Sequence, residues 1–200
     1  MMTAMIDYNA GNVFSVSAAF RRLGEEVVLT SDRETILSAD RVVFPGVGYA
    51  SAAMDEIAKR NLAEVISLVE KPFLGICLGM QLLCRSSQEG DVDMLGVVDA
   101  PVLRFDSQQC RKIPQIGWNR VYAQPDSQLF DGIGQGSWFF FDHSYYVPLL
   151  DEGTEARTEY YGFWYSSAIT RGNFHGVQFH PEKSGKAGER LLANFLSLEA

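Results

Sequence analysis

The first half of the chain alternates short apolar runs with longer stretches in which apolar residues recur at helical spacing. Ala4-Met5-Ile6 predicts a strand that ends in the turn-like Asn9-Ala10-Gly11. Asn12 stands where a helix N-cap is expected, ahead of Val13, Val16, Phe20 and Leu23 on one face, with Gly24 as the stop. Glu26 to Thr30 and Arg41 to Phe44 read as the second and third strands, and Pro45-Gly46-Val47-Gly48 ends the third sharply. A helical stretch follows from Ser51 to Val69 with a break at Arg60-Asn61. Phe73-Leu74-Gly75-Ile76 is the fourth strand, running straight into Cys77 and a helix through Leu83.

From Ala100 to Gln178 the pattern changes to β-branched and aromatic runs separated by turn residues such as Gln124-Pro125-Asp126, Asp151-Glu152-Gly153 and Arg171-Gly172-Asn173. That predicts hairpins and short antiparallel strands. Trp138-Phe139-Phe140-Phe141 fits a strand with alternate rings in the core and one or two at a contact. Lys186 to Leu198 predicts a closing helix that buries Leu191, Leu192, Phe195 and Leu196.

Apolar strands alternating with amphipathic helices predict an α/β fold, with a largely parallel central sheet flanked by helices and an additional antiparallel β region in the second half. No linker or repeat divides the chain, so residues 1–200 read as one domain. In such sheets ligands bind at the carboxyl ends of the strands. Two of those ends are unusual here: the glycine-rich turn after Phe44 and the elbow at Cys77.

Composition narrows the possibilities. With 46% hydrophobic residues the chain can bury a core, which excludes disorder. Seventeen Lys and Arg against 25 Asp and Glu leave a net charge of −8, which argues against nucleic-acid or anionic-membrane partners. No apolar run is long enough to span a bilayer and Met1 to Tyr8 is no signal peptide, so a cytoplasmic location is expected. Three cysteines, Cys77, Cys84 and Cys110, suit neither a disulfide framework nor a metal site. The absence of a Walker loop or dinucleotide fingerprint implies no nucleotide cofactor; no cofactor and no metal are expected.

Gly75-Ile76-Cys77-Leu78-Gly79 is a small-x-nucleophile-x-small elbow between a strand and a helix. Glycines relieve the crowding of so sharp a turn. A sulfur at a helix N-terminus is favoured as thiolate, and the N–H of Leu78 would point toward an oxyanion. The same pentapeptide also fits a small core cysteine in a glycine-rich strand. A nucleophile needs a base. In Gln178-Phe179-His180-Pro181-Glu182-Lys183, an extended segment would place 180 and 182 on one side, so that Glu182 could orient the His180 imidazole. Taken alone, His-Pro-Glu also fits a polar surface turn. Of the other candidates, His143 reads as structural or substrate-adjacent, His175 as a strand residue without a role, Cys84 as a core thiol and Cys110 as a loop thiol.

Gly-Ile-Cys-Leu-Gly-Met-Gln followed much later by Gln-Phe-His-Pro-Glu-Lys-Ser resembles the triad-type, class I glutamine amidotransferases. Within that family, Asp7 to Asn12, Pro45 to Gly48, Ile113 to Asn119 and His143-Ser144-Tyr145 are similar to the glutaminase subunits of imidazole glycerol phosphate synthases. The matching features run from the first strand to the last helix.

The resemblance implies a catalytic triad of Cys77, His180 and Glu182 that releases ammonia from L-glutamine. It implies an oxyanion hole from Leu78 and the Val47-Gly48 strand end, where glycines on both sides of Val47 let a peptide reorient. Gln81, Ser144, Tyr145 and Gly46 would hold the substrate. The implied partner is a (β/α)8-barrel cyclase, joined as a heterodimer through Trp118, Asn119 and Lys183. The cyclase would use the ammonia to make imidazole glycerol phosphate and aminoimidazole carboxamide ribotide in histidine biosynthesis. Gln115 stands where the resemblance calls for histidine, and Asp142 where it calls for an apolar residue. Both are expected near the partner-facing side, away from the triad. The alternatives are an amidotransferase subunit serving another synthase, a cysteine hydrolase on a similar scaffold, or a non-catalytic relative; the intact Cys77, His180 and Glu182 set weighs against the last.

Overall fold

The computed structural model describes residues 1–9 and 11–199; Ala10, inside the first expected turn, and Ala200 lie outside the described residues. The elements run β1 (Thr3–Ile6), α1 (Val13–Arg22), β2 (Val27–Thr30), α2 (Arg33–Ser38), β3 (Arg41–Gly46), α3 (Ala50–Lys59), α4 (Leu62–Ser67), β4 (Phe73–Cys77), α5 (Leu78–Leu82), β5 (Cys84–Ser87), β6 (Val92–Asp93) and β7 (Val98–Arg104). They continue with β8 (Gln115–Ala123), β9 (Ser137–His143), β10 (Tyr145–Pro148), β11 (Thr154–Tyr160), β12 (Phe163–Arg171), β13 (Phe174–Val177), a 3-10 turn (Pro181–Lys183) and α6 (Gly185–Ser197).

Strands β2, β1, β3, β4 and β13 lie side by side in that order, all parallel. β1, β3 and β4 are buried along their whole length, as parallel strands covered on both faces must be. Side-chain alternation divides their residues between two layers. Met5, Val43, Leu74 and Ile76 pack toward α1 and α6 through Val16, Phe20, Leu191 and Phe195. Ala4, Ile6, Val42, Phe44 and Phe73 pack toward α2 to α5 through Ile36, Ile57, Leu62, Leu78 and Leu82.

The sheet changes sense at β13. β12 pairs antiparallel with β13, β10 with β12, and β7 with β10. β11, β8 and β9 extend from β12 as a second antiparallel arm. On β9, Phe139 and Phe141 are fully buried while Trp138 is half exposed, the expected alternation. The helical stretch after Gly48 breaks at Asn61, which takes a left-handed conformation (φ 54°).

Several expectations change. The stretch to Gln178 is not antiparallel throughout: β13 doubles back from β12 through Arg171-Gly172-Asn173 and so arrives running parallel to β4. β3 continues through Pro45 to Gly46, because its pairing with β4 runs on, Pro45 opposite Ile76 and Gly46 opposite Cys77; the Pro45 carbonyl also accepts from the Tyr8 hydroxyl at 2.9 Å. β5 and β6 form in a charged stretch with no apolar run to announce them. Leu196 is only partly buried, unlike Leu191, Leu192 and Phe195. No helix among the described residues is long and apolar enough to cross a membrane.

Candidate active site

β4 ends in Cys77 at φ 55° and ψ −110°, and α5 begins at the next residue. A positive φ is costly for a residue with a β-carbon and persists only where the surroundings impose it. Here the imposition is the close seating of α5 on the sheet. A Cβ on Gly79 would overlap the Phe44 carbonyl oxygen of β3, and one on Gly75 would lie 2.8 Å from the Gly79 carbonyl. The two glycines of the elbow therefore bring helix and strands together, and Cys77 takes the strained turn between them.

The parallel pairing of β13 with β4 delivers Gln178, Phe179 and His180 to the same end of the sheet. His180 is pinned there by its neighbours. Its N–H donates to the Phe140 carbonyl (2.8 Å), and the Ser184 hydroxyl donates to the His180 carbonyl (2.6 Å) while accepting from Phe140 N–H (3.0 Å). The imidazole is almost fully buried, with Nδ1 2.8 Å from Glu182 Oε1. The expected pairing of 180 with 182 holds, but its geometry differs from the extended segment envisaged. Glu182 sits in the 3-10 turn, which folds its carboxylate back onto the ring. Nδ1 is thereby occupied, which leaves Nε2 as the basic nitrogen, and His180 shares one cavity wall with Cys77. Burial lowers the His180 pKa, but hydrogen bonds and charge from Cys77 and Glu182 outweigh it and raise it to about 10. Burial likewise pushes the Glu182 carboxyl up, yet His180 and Asn12 hold it below the usual range.

Asn12 does not cap α1. It adopts a left-handed conformation (φ 73°), and its side chain makes no cap hydrogen bond. Instead its Nδ2 donates to Glu182 Oε1 across 2.7 Å, so one carboxylate oxygen serves both Asn12 and His180. Glu182 Oε2 is buried with no partner among the described residues. The sequence pattern marked Asn12 only as a helix start, and nothing local signals its bond to a residue near the other end of the chain.

A cavity of about 280 Å³ opens above Cys77. Its wall brings together Cys77, Leu78, Val47, Gly48, Gln81, Ser144, Tyr145, His180 and Lys183 from the sequence expectations. Gly46 is not on that wall: it is buried in β3, where a Cβ would collide with the Tyr8 hydroxyl. Trp118 and Asn119 are also absent from it. Trp118 is half exposed on β8, edge-on to Phe140, and the Lys183 ammonium lies 5.6 Å from the same Phe140 ring. The Asn119 side chain is engaged within the chain, donating to the Glu159 carbonyl and accepting from Arg120 N–H.

The cavity wall also takes in Glu89, which the sequence did not single out, and Asp142, which it did. Glu89, in a polar turn after β5, accepts from Ala50 N–H at 2.8 Å, and burial raises its pKa. Asp142 contributes its backbone carbonyl, which accepts from the Cys77 thiol at 3.9 Å, so this position touches the cysteine it was expected to avoid. Gln115, expected toward a partner-facing side, is instead buried, and its Oε1 accepts from the Tyr165 hydroxyl at 3.0 Å. That hydroxyl lies 3.3 Å from His143 Nε2, and His143 Nδ1 donates to the Tyr145 carbonyl at 2.7 Å. Burial drives the His143 pKa down to about 4, so this ring is neutral and unsuited to act as a second base near neutral pH. His175 pairs with the buried Glu155 at 3.0 Å, a packing role in place of none. Cys110 lies in the loop between β7 and β8 as expected, and is buried there; Cys84 is a buried core thiol, also as expected.

Three larger hollows, of about 780, 700 and 310 Å³, lie elsewhere: beside Asp131 and Arg190, beside Asp99 and Arg171, and beside Asn173 and His175. None of the three is lined by a cysteine. The cavity above Cys77 is the one equipped for nucleophilic chemistry: a thiol on a strained elbow, a buried imidazole held by a carboxylate, and polar groups to seat a small substrate.

The model of the family Glutamine amidotransferase class-I matches residues 4–198. The chain belongs to the class-I glutamine amidotransferases. It is 48% identical over 199 residues to the imidazole glycerol phosphate synthase subunit HisH of Bacteroides thetaiotaomicron, an alignment covering 99% of this chain and 100% of that protein. With the subunit of the same name from Escherichia coli K12 the identity is 44% at the same coverage. A solved glutamine amidotransferase superposes with a TM-score of 0.75 at 18% identity, covering 97% of each chain. That distant likeness shows a shared fold over nearly the whole of both chains.

Proposed function

We propose that this class-I glutamine amidotransferase is the glutaminase subunit of an imidazole glycerol phosphate synthase, acting in the cytoplasm as one domain paired with a (β/α)8-barrel cyclase. The observation that carries the chemistry is His180, buried, held by the Glu182 carboxylate and lining one cavity with Cys77. Full-length similarity to subunits named for that synthase supports the pathway.

His180 Nε2 takes the Cys77 proton, and the thiolate attacks the carboxamide carbon of glutamine. The N–H of Leu78, with one from the Val47–Gly48 strand end, holds the oxyanion; Gly48, at φ 110°, permits that peptide to turn. The imidazolium protonates the departing nitrogen, leaving a thioester and free ammonia. His180 then removes a proton from water, which attacks the thioester, and glutamate leaves as the thiol is restored. Glu182 orients the ring and stabilises its charged form throughout. Gln81, Ser144 and Tyr145 seat the amino-acid end of the substrate, and Glu89 offers an anion to its ammonium group. Gly46 serves indirectly, by letting Tyr8 close on Pro45 beneath the oxyanion strand. Trp118, Asn119 and Lys183 face the cyclase, which receives the ammonia in histidine biosynthesis.

The test is glutamate release by the full chain alone and with the barrel cyclase loaded with its own substrate. Slow release alone and fast release in the loaded complex are expected. Equal rates in both settings contradict the assignment to this synthase.

A further inference from the structure

The Cys77 sulfur has a third polar neighbour. Val177 of β13 lies opposite Ile76 of β4, so Gln178 leaves the sheet alongside Cys77. Gly176 and Gln178 share one face of this segment. A Cβ at 176 would come within 2.8 Å of Met80, so α5 lies over the strand there and Gln178 meets Gln81. Gln178 is fully buried.

A chain of one-way groups fixes which end of its amide faces the sulfur. The Tyr145 carbonyl can only accept, so the Gln81 end 3.1 Å from it is Nε2. That nitrogen is also 2.9 Å from Gln178, whose near end must be the acceptor Oε1. The far end, 3.8 Å from Cys77 Sγ, is therefore Nε2, a donor. The Asp142 carbonyl on the sulfur can accept only from a thiol, whereas the Gln178 N–H is best satisfied by a thiolate.

We propose that Gln178 is a catalytic residue of this glutaminase: its Nε2–H stabilises the Cys77 thiolate, while its Oε1 holds Gln81 with the free end of that amide turned to the substrate cavity. Nucleophile ionisation and substrate seating thus share one buried side chain. The proposal rests on Cys77 being the nucleophile. The other titratable groups around the sulfur are His180 with its partner Glu182, Tyr8 from the β1 end, His143 near His180, and Glu89, Asp142, Tyr145 and Lys183 on the cavity wall. All of these stay in place when residue 178 alone is changed.

The experiment is the pH dependence of iodoacetamide alkylation at Cys77 in the full chain, read by peptide mass spectrometry so that Cys84 and Cys110 are scored separately. In Gln178→Glu an acceptor replaces the donor at nearly constant shape, and in Gln178→Met both polar ends are lost. A hydrogen bond to a charged group predicts that the alkylation midpoint moves up by about one pH unit in each variant. Gln178→Met should also raise KM for glutamine, because Gln81 is released, whereas Gln178→Glu should lower kcat with KM nearly unchanged. An unmoved midpoint in either folded variant overturns the role of Gln178. Glutamine hydrolysis that survives Cys77→Ala overturns the nucleophile assignment instead, which is a separate result.

Discussion

Glu182 Oε1 accepts from both His180 Nδ1 and Asn12 Nδ2, while its other oxygen is buried without a partner. A carboxylate held by so few bonds depends on each of them. Asn12→Ala removes a charge-assisted hydrogen bond, and we expect kcat for glutamine hydrolysis to fall about tenfold with KM nearly unchanged. Asn12→Asp, which sets a second negative charge against Glu182, should lose more. Steady-state kinetics checks both, and wild-type kcat in Asn12→Ala would remove Asn12 from the machinery. The buried titratable groups also set a pH profile for stability. His143 has a folded pKa of about 4 against an ordinary 6.5, so its contribution is present above pH 6.5 and is lost as the pH falls toward 4. Glu182, held below its ordinary 4.5, acts in the same direction at lower pH. His180, raised to about 10, contributes fully below pH 6.5 and loses that contribution as the pH rises through 10. Urea midpoints should therefore be highest near neutrality and lower at both pH 4.5 and pH 10; a midpoint at pH 4.5 equal to that at pH 7 would refute this.

At the scale of elements, the site exists because α5 sits directly on β3, β4 and β13. Gly79→Ala forces a methyl into the Phe44 carbonyl and should cost about 2–4 kcal/mol of unfolding free energy, measured by urea denaturation, along with the exposure of Cys77 to its substrate. A loss below about 0.5 kcal/mol would mean that the helix can lift without consequence. These elements were unequally legible in the sequence. β1, β3 and β4 announce themselves because two-sided burial demands unbroken apolar runs. The elbow is visible because strain and close approach both demand glycine around Cys77. β5 and β6 are short, with charged residues between and within them, so no periodicity marks them. Glu182 was correctly paired with His180, although a turn rather than a strand joins them. Asn12, Gln178 and Glu89 act through partners far away in the chain. A local pattern reads Asn12 as a cap and Gln178 as a motif flank and does not mark Glu89, because only the assembled sheet brings Asn12 to Glu182, Gln178 to Cys77 and Glu89 to the cavity.

For the whole molecule, the parallel half supplies the elbow and the antiparallel arm supplies the opposite wall, with β13 joining the two and carrying the base. The net charge of −8 gives no hint of this arrangement. Lys183 at the cavity mouth, over the Phe140 ring, and the half-exposed Trp118 beside that ring form a local cationic and aromatic patch that the total conceals. A cavity of about 280 Å³ suits one amino acid. The most direct measurement of the central claim is product formation by Cys77→Ala in complex with the barrel cyclase, with glutamine or with an ammonium salt as the nitrogen source. The account predicts that glutamine-dependent synthesis drops by about three orders of magnitude or more while ammonium-dependent synthesis stays at the wild-type rate. Glutamine-dependent synthesis that persists in Cys77→Ala would contradict it.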